Sequence, residues 1–231
     1  MAFLCLRKEG KVMQKKQFVV IGLGRFGGSL VEEFAKLGVE VLAIDKSEEL
    51  VSQYNSIATH AVQANATDEA TLKSLGLRNF DHAIVSMGED IESSILTSLL
   101  LKEMDVKEVW VKATNKYHQK VLTRLGVDRI IQPERDMARR IAHHVVSDKI
   151  IDYIELSDSH SIVEISATKK VHNKTLKDLN MRAKYGCTLI GIQRNGDIVV
   201  SPTAEEVLVE GDLMIIIGRN EDIQRFEEIG V

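Results

Sequence analysis

Three glycines spaced as G-x-G-x-x-G, Gly22, Gly24 and Gly27 in "VIGLGRFGGSL", are the residues of this 231-residue chain best suited to bind a phosphate ester. The chemistry they offer is made by the backbone. Gly22 permits a tight turn, Gly24 lets the main chain approach a pyrophosphate with no Cβ in the way, and Gly27 lets a helix pack close to the preceding strand. The helix start then presents free N–H groups and a partial positive charge to an anion. The apolar run "QFVVIG" before the loop and the helical periodicity of "RFGGSLVEEFAKLG" after it supply the strand–turn–helix setting that such a motif requires.

Arg25 lies inside the motif, in the first helical turn, where the dipole penalises a cation with no anion to meet. A pyrophosphate is already served by backbone N–H groups, so a guanidinium beside it points to a terminal phosphate, as in ADP or ATP. Asp45 ends the next strand-like run, 18 residues beyond Gly27. Its carboxylate suits both ribose hydroxyls and repels a 2′-phosphate, which disfavours NADP. The third strand end carries "NAT", Asn65, Ala66 and Thr67, at the level where adenine is held. After the fourth, "SMGED" sets Met87, Gly88 and Glu89 across the phosphates. After the fifth, "VKATNKYH" sets Lys112, Ala113 and Thr114, with His118 one turn into the following helix. Phe26 beside Arg25, and Lys46 and Ser47 beside Asp45, complete the candidate set. His60, His82, His143, His144, His160 and His172 have no partner legible in the sequence and are read as structural.

Strand-like and helical segments must position these residues, and they alternate through the first 150 positions. "QFVVIG", "EVLAID", "HAVQAN", "HAIVSM", "EVWVKA" and "DRIIQP" predict six strands, joined by helices that include one from Ser47 and one from Asp68. Right-handed crossovers then build a parallel sheet with helices on both faces, expected in the order 3-2-1-4-5-6 with ligands at the carboxyl ends of the strands. "ERDMARRIAHHVVSDK" predicts a helix leading out of this domain. Beyond it, "IIDYIELS" and "HSIVEISA" alternate like half-exposed strands, "TLKDLNMR" suggests a short helix, and "CTLIGIQRNGDIVVSP" reads as a hairpin turning at Asn195–Gly196. "DLMIIIG" and a closing helix "NEDIQRFEEIG" follow. The fold class is therefore α/β: a Rossmann-type, doubly wound parallel sheet followed by a small α+β domain. The boundaries are a leader over 1–16, a nucleotide-binding domain over 17–133, a linking helix over 134–150 and the second domain over 151–231.

A net charge of −4 without a polybasic run argues against a nucleic-acid partner. The two cysteines, Cys5 and Cys187, form no metal or disulfide spacing. Neither "LMIIIG" nor "ILTSLLL" approaches the ~20 apolar residues of a membrane span, so any membrane connection comes through a partner. No nucleophile elbow, Walker motif, zinc spacing or His–Asp pairing presents itself, which disfavours an enzyme. An NAD(H)-dependent oxidoreductase and an NADH redox sensor remain the competing readings.

Together, "VIGLGRFGGSL", "NATDE", "LGLRNFDHAIVSMGE", "VKATNKYH", "RIIQPERDMARRIA" and "DLNMRAKYG" resemble the cytosolic regulatory subunits of bacterial Ktr potassium uptake systems, members of the RCK class (regulators of potassium conductance). The resemblance runs from about residue 17 to the C-terminus. It implies a homodimer that assembles into an octameric ring beneath an integral-membrane potassium-translocating subunit. The protein would then be cytoplasmic, at the inner face of the membrane. It implies that ATP and ADP compete for the glycine-loop site and favour active and inactive ring shapes, with Arg25 matching the arginine that senses the terminal phosphate. Glu134 matches an acidic residue that helps to hold a divalent cation, magnesium or calcium. In the second domain the resemblance implies a cyclic di-AMP site over Asn180, Met181, Arg182, Ala183, Tyr185 and Pro202. This chain departs from the family pattern at Asn180, where an aspartate is frequent.

Overall fold

The computed structural model describes residues 16–147 and 149–231. All of the leader expected over 1–16 except Lys16 lies outside the described residues. The chain divides into two units, Met1–Pro133 and Glu134–Val231.

The first unit contains β1 (Phe18–Ile21), α1 (Arg25–Lys36), β2 (Val41–Asp45), α2 (Glu48–Tyr54), β3 (His60–Gln63), α3 (Glu69–Ser74), β4 (His82–Val85), α4 (Ile91–Glu103), β5 (Glu108–Lys112), α5 (Lys116–Leu125) and β6 (Arg129–Ile131). The six strands form one parallel sheet in the order β3-β2-β1-β4-β5-β6, as the alternation predicts. Its centre is β1, which pairs Ile21 with Ile44 on one side and with Val85 on the other. Side chains alternate between two cores. Val19 and Ile21 pack with Ile44, Val85, Val109 and Val111, while Val20 packs with Ala43, Ile84, Val31 and Tyr54. Each large aliphatic side chain buried there contributes about 1.5–3 kcal/mol. With both faces covered, β1 has to be a continuous apolar run, and it is.

Four helices of this unit start on side-chain caps. Ser47 accepts from Leu50 N, Asp68 from Thr71 N, Asp90 from Ser93 N, and Asn115 from Tyr117 N and His118 N. Helix α1 differs. Its N-cap is Gly24, with no side-chain cap and no acidic residue in the first turn.

The second unit contains α6 (Pro133–Val146, whose first residue closes the preceding unit), β7 (Ile150–Ser157), β8 (His160–Ser166), α7 (Leu176–Leu179), α8 (Met181–Tyr185), β9 (Thr188–Arg194), β10 (Asp197–Val200), β11 (Leu213–Arg219) and α9 (Asn220–Arg225). Its sheet is antiparallel, in the order β10-β9-β11-β8-β7. Asn195 and Gly196 form the β9–β10 turn with φ of 52° and 90°, the left-handed pair that a two-residue hairpin needs. The core gathers Val163, Ile165, Ile192, Leu208, Met214, Ile216 and Phe226. Helix α6 binds β7 through Arg139–Glu155 and through Arg140, whose Nη2 lies 2.8 Å from Asp152 Oδ1.

One expected element divides. "TLKDLNMR" forms two short helices, because a capping box between Thr175 and Asp178 closes around α7 and Asn180 turns left-handed at φ 43°. Asparagine tolerates that conformation better than most side chains do.

Candidate functional site

At the carboxyl edge of the first sheet, the three motif glycines occupy three different environments. Gly22 has φ +92°, and a Cβ there would lie 3.0 Å from both Met87 Cγ and the Ser86 carbonyl carbon. At Gly27 a Cβ would stand 1.9 Å from Gly22 O, so the first turn of α1 packs directly on the loop. Gly24 faces open space, with no atom within 4 Å of its Cβ position. The loop is thus rigid on two glycines and open on the third. Gly28, which the motif reading passed over, is equally constrained: Tyr54 Oη fills the place of its side chain, 2.0 Å from a Cβ. Nothing local marks that contact, since Tyr54 comes from α2.

Arg25 is exposed at the first position of α1, and Phe26 is half-buried beside it. Asp45 does more than the sequence reading gave it. Its Oδ2 accepts from Leu23 N at 2.7 Å and its Oδ1 from Ser47 N at 2.8 Å, tying the glycine loop to the end of β2. Hydrogen bonds to a charged acceptor contribute about 1.5–3 kcal/mol each. Each oxygen retains acceptor capacity for a ribose hydroxyl. The hydroxyl of Ser47 caps α2, and Lys46 Nζ reaches to 3.8 Å from Asp90 Oδ2 at the start of α4.

Asn65 Oδ1 accepts from Thr67 N and Thr67 Oγ1, a local turn that fixes the loop after β3. Ala66 is buried, and its carbonyl accepts from Thr97 Oγ1, so it offers only backbone to a ligand. Met87 and Gly88 are half-buried and Glu89 is exposed after β4. Gly88 lies against the loop after β5, its Cβ position 3.2 Å from Thr114 Cγ2 and 3.6 Å from Lys112 Cε. Ala113 is buried, its N–H donating to Ile131 O.

His118 is only 2% exposed. Its Nδ1 lies 3.3 Å from Thr114 Oγ1 and 3.5 Å from Thr114 N, while the buried Nε2 has no hydrogen-bond partner. Burial pushes the imidazole pKa down, which keeps the ring neutral. The ring therefore supports the Thr114 loop from within. Elsewhere, His144 donates from Nδ1 to Ile150 O, and His172 Nδ1 accepts from Glu210 N, partners that no sequence signal revealed.

Glu134 stands in the first turn of α6, in the second unit. Among the described residues, no three His, Cys, Asp or Glu side chains gather as a metal site. In the same unit, Asn180 separates α7 from α8, Arg182 and Ala183 are exposed on α8, and Met181 is buried in the core. Tyr185 stacks edge-on against Phe226 at 5.2 Å. The loop after Pro202 lies along α7, where Lys177 N donates to Ala204 O and Leu176 N to Glu206 O.

A parallel sheet with a glycine loop at its switch point and an acid closing the second strand defines a Rossmann-type unit, here followed by an antiparallel α+β unit. The chain belongs to the Ktr potassium uptake protein family: residues 18–133 match the TrkA-N domain and residues 160–229 the TrkA-C domain. It is 53% identical to Ktr system potassium uptake protein A of Bacillus subtilis over 219 residues, covering 95% of this chain and 99% of that protein. It is 54% identical to Ktr system potassium uptake protein C of the same organism, over 93% of this chain and 97% of that one. Among solved structures, the GsuK RCK domain shares the fold with a TM-score of 0.51 at 21% identity, over 95% of this chain and 47% of that one. No helix among the described residues is long and apolar enough to cross a membrane.

Proposed function

We propose that this chain is a cytosolic regulatory subunit that reads ADP and ATP at the glycine loop and gates an integral-membrane potassium-translocating partner. One observation carries the reading: α1 starts without the side-chain cap that α2–α5 all have, on a glycine facing open space, with Arg25 exposed at its first position. The uncapped N–H groups suit phosphate oxygens, and the guanidinium suits one phosphate more. Asp45, already oriented by two backbone N–H groups, suits the ribose. The nucleotide is read and not consumed, so the chain is no enzyme. An NAD(H) oxidoreductase or NADH sensor would use the same shelf but gives Arg25 no task.

Gating follows as a population shift between two shapes of an octameric ring. A ligand biases such a balance only by its differential affinity for the two shapes. Moving it from mostly closed to mostly open takes about 5.5 kcal/mol. Divided among about eight sites, that is below ~1 kcal/mol each, less than one charge-assisted phosphate contact supplies. Glu134 fits a magnesium or calcium ion only in part. A hard cation takes roughly six to eight oxygens, so the phosphates and a second copy would have to contribute most of them. In the second unit, exposed Arg182 and the backbone at Ala183, framed by Tyr185 and Pro202, form the proposed inhibitory cyclic di-AMP site.

Calorimetry on the full chain tests these assignments. Arg25→Ala is expected to erase the preference between ATP and ADP while ADP binding stays measurable; a clear ATP preference in that variant refutes its role. Arg182→Ala is expected to abolish cyclic di-AMP binding and leave ATP unaffected. Unchanged cyclic di-AMP binding would put that ligand elsewhere. Turnover of an alcohol or hydroxy acid with NADH would favour the oxidoreductase.

A further inference from the structure

The stretch between α6 and β7 is tied to a part of the second unit some 80 positions away. Lys149 Nζ donates to Glu227 O and, at 2.8 Å, to Val231 O. Ser147 Oγ donates to the Glu227 carboxylate and accepts from Ile150 N at 3.0 Å. Both residues are half-buried, and both reach the π-helical turn Phe226–Gly230 that follows α9. The same turn meets α8, the candidate cyclic dinucleotide helix. Phe226 is wholly buried and stacks edge-on against Tyr185, with ring centroids 5.2 Å apart. Arg225, the residue before it, donates from Nη2 to Tyr185 O at 3.3 Å. Helix α8 ends at Gly186, whose missing side chain leaves room for Asp222 of α9: a Cβ there would lie 2.6 Å from Oδ2. Phe226 and Glu227, adjacent in sequence, thus touch the edge of a candidate ligand site and the root of the helix that leads back along the chain to the first unit.

We propose that the Phe226–Gly230 turn couples the cyclic dinucleotide site to the nucleotide site, with Lys149 and Ser147 as the latch that passes a change at Tyr185 to α6. This rests on both ligand readings above. A cyclic dinucleotide framed by Tyr185 acts on Phe226 through the ring contact, and a densely packed interior passes such a displacement on because it has little free volume to absorb it. An ammonium that gives two donors to backbone oxygens of one turn follows that turn when it moves, since leaving a half-buried charge without partners is costly. The linker therefore moves with the turn, and α6, which begins where the first unit ends, moves with the linker. Cyclic di-AMP and ATP then favour opposite arrangements of one element. Each ligand weakens the other by the same factor, because coupling of this kind is reciprocal.

The test is titration calorimetry on the full chain, with ATP and cyclic di-AMP each titrated alone and against a saturating amount of the other. In the wild type, cyclic di-AMP is expected to weaken ATP about five- to tenfold, and ATP to weaken cyclic di-AMP equally. Lys149→Met and Ser147→Ala are each expected to keep both single-ligand affinities within about twofold and to bring the coupling factor toward one. A purely structural latch would leave that factor unchanged. Lys170→Met is the control: Lys170 Nζ also donates to this turn, at Ile229 O, but from the loop after β8. It is expected to leave the coupling as in the wild type. Full coupling in both latch variants, or in Ser147→Ala alone should Lys149→Met not fold, overturns the inference and leaves the two sites standing. So does an equal loss in Lys170→Met, which would assign the coupling to stiffness of the turn and not to the linker. A wild-type chain that binds both ligands independently also overturns it, whereas one that binds no cyclic di-AMP overturns the site reading beneath it.

Discussion

In the first unit the candidate phosphate cradle is backbone held in unusual places, whereas in the second the candidate phosphate contact, Arg182, is a side chain standing on an ordinary surface. Gly22, Gly24 and Gly27 act by what they lack, and the N–H groups of α1 act because no side chain caps them. Arg182 and Ala183, by contrast, are exposed on a five-residue helix that begins at a left-handed asparagine. A backbone site is rigid before any ligand arrives, and changing it strains the fold. A side-chain site is lost by one truncation at little expense in stability. The same contrast runs through the electrostatics. The first unit leaves Arg25 exposed at its candidate site, while in the second Arg194 is paired with the buried Asp212.

That ion pair gives the largest expected effect. Asp212 is only 2% exposed, and Arg194 reaches it with Nε at 2.7 Å and Nη2 at 2.6 Å, while Val209 N donates to the same carboxylate at 2.7 Å. Burial alone pushes this carboxyl up, but the Arg194 and Val209 hydrogen bonds together bring it below its ordinary value. Arg194→Leu leaves a buried charge unpaired and is expected to destabilise the protein by about 3–5 kcal/mol, measured by urea unfolding at pH 7. The sign with pH follows from the depressed carboxyl. Its stabilisation is complete above the unfolded pKa and is lost as pH falls through the folded one. In Arg194→Leu, the acid limb of stability should therefore shallow. An unchanged midpoint would show that the pair does not hold this unit together.

A paired substitution sharpens the contrast between rigid and open backbone. Gly27→Ala places a Cβ at 1.9 Å from Gly22 O, and is expected to cost about 3 kcal/mol through forced movement of the loop. Gly24→Ala, at φ −63° and in open space, is expected to leave stability within about 0.5 kcal/mol while weakening nucleotide binding. Thermal unfolding with and without ADP separates the two. Equal losses of stability at both positions would mean that Gly24 is structural and that the shelf is not open there.

These contrasts also explain what was legible beforehand. Sheet order, the helix starts at Ser47 and Asp68 and the glycine loop could be read from the sequence because each follows from local periodicity or from a backbone need that few residues meet, whereas the caps Asp90 and Asn115 were not read. The double anchoring of Asp45 was not legible, since Leu23 lies 22 positions away and the residue type fits a ribose equally well. Nor was Gly28, whose missing side chain is explained only by Tyr54 arriving from another helix. The break at Asn180 was hidden because helical periodicity continues on both sides of it, and only the left-handed turn separates α7 from α8. His118 was read as a candidate ligand contact one turn into the helix after the fifth strand, and nothing in the sequence showed that its ring is buried. Its burial depends on packing that no single element encodes.

The smallest expected effect concerns that histidine. A neutral ring held below its ordinary pKa by burial binds a proton more readily when unfolded. The unfolded chain takes up protons from about pH 6.5 downward while the folded one does not, so stability should fall with decreasing pH already in that window. The depressed aspartates act in the same direction, but only nearer the carboxylate range. His118→Leu is therefore expected to flatten the dependence of urea unfolding on pH between about 5 and 7 and to leave the steeper acid limb in place. Because Nδ1 also faces Thr114, the same variant should loosen the loop after β5 and weaken ADP binding modestly. A slope between pH 5 and 7 that survives the substitution would assign the proton uptake to another histidine, and unchanged ADP affinity would detach His118 from the shelf altogether.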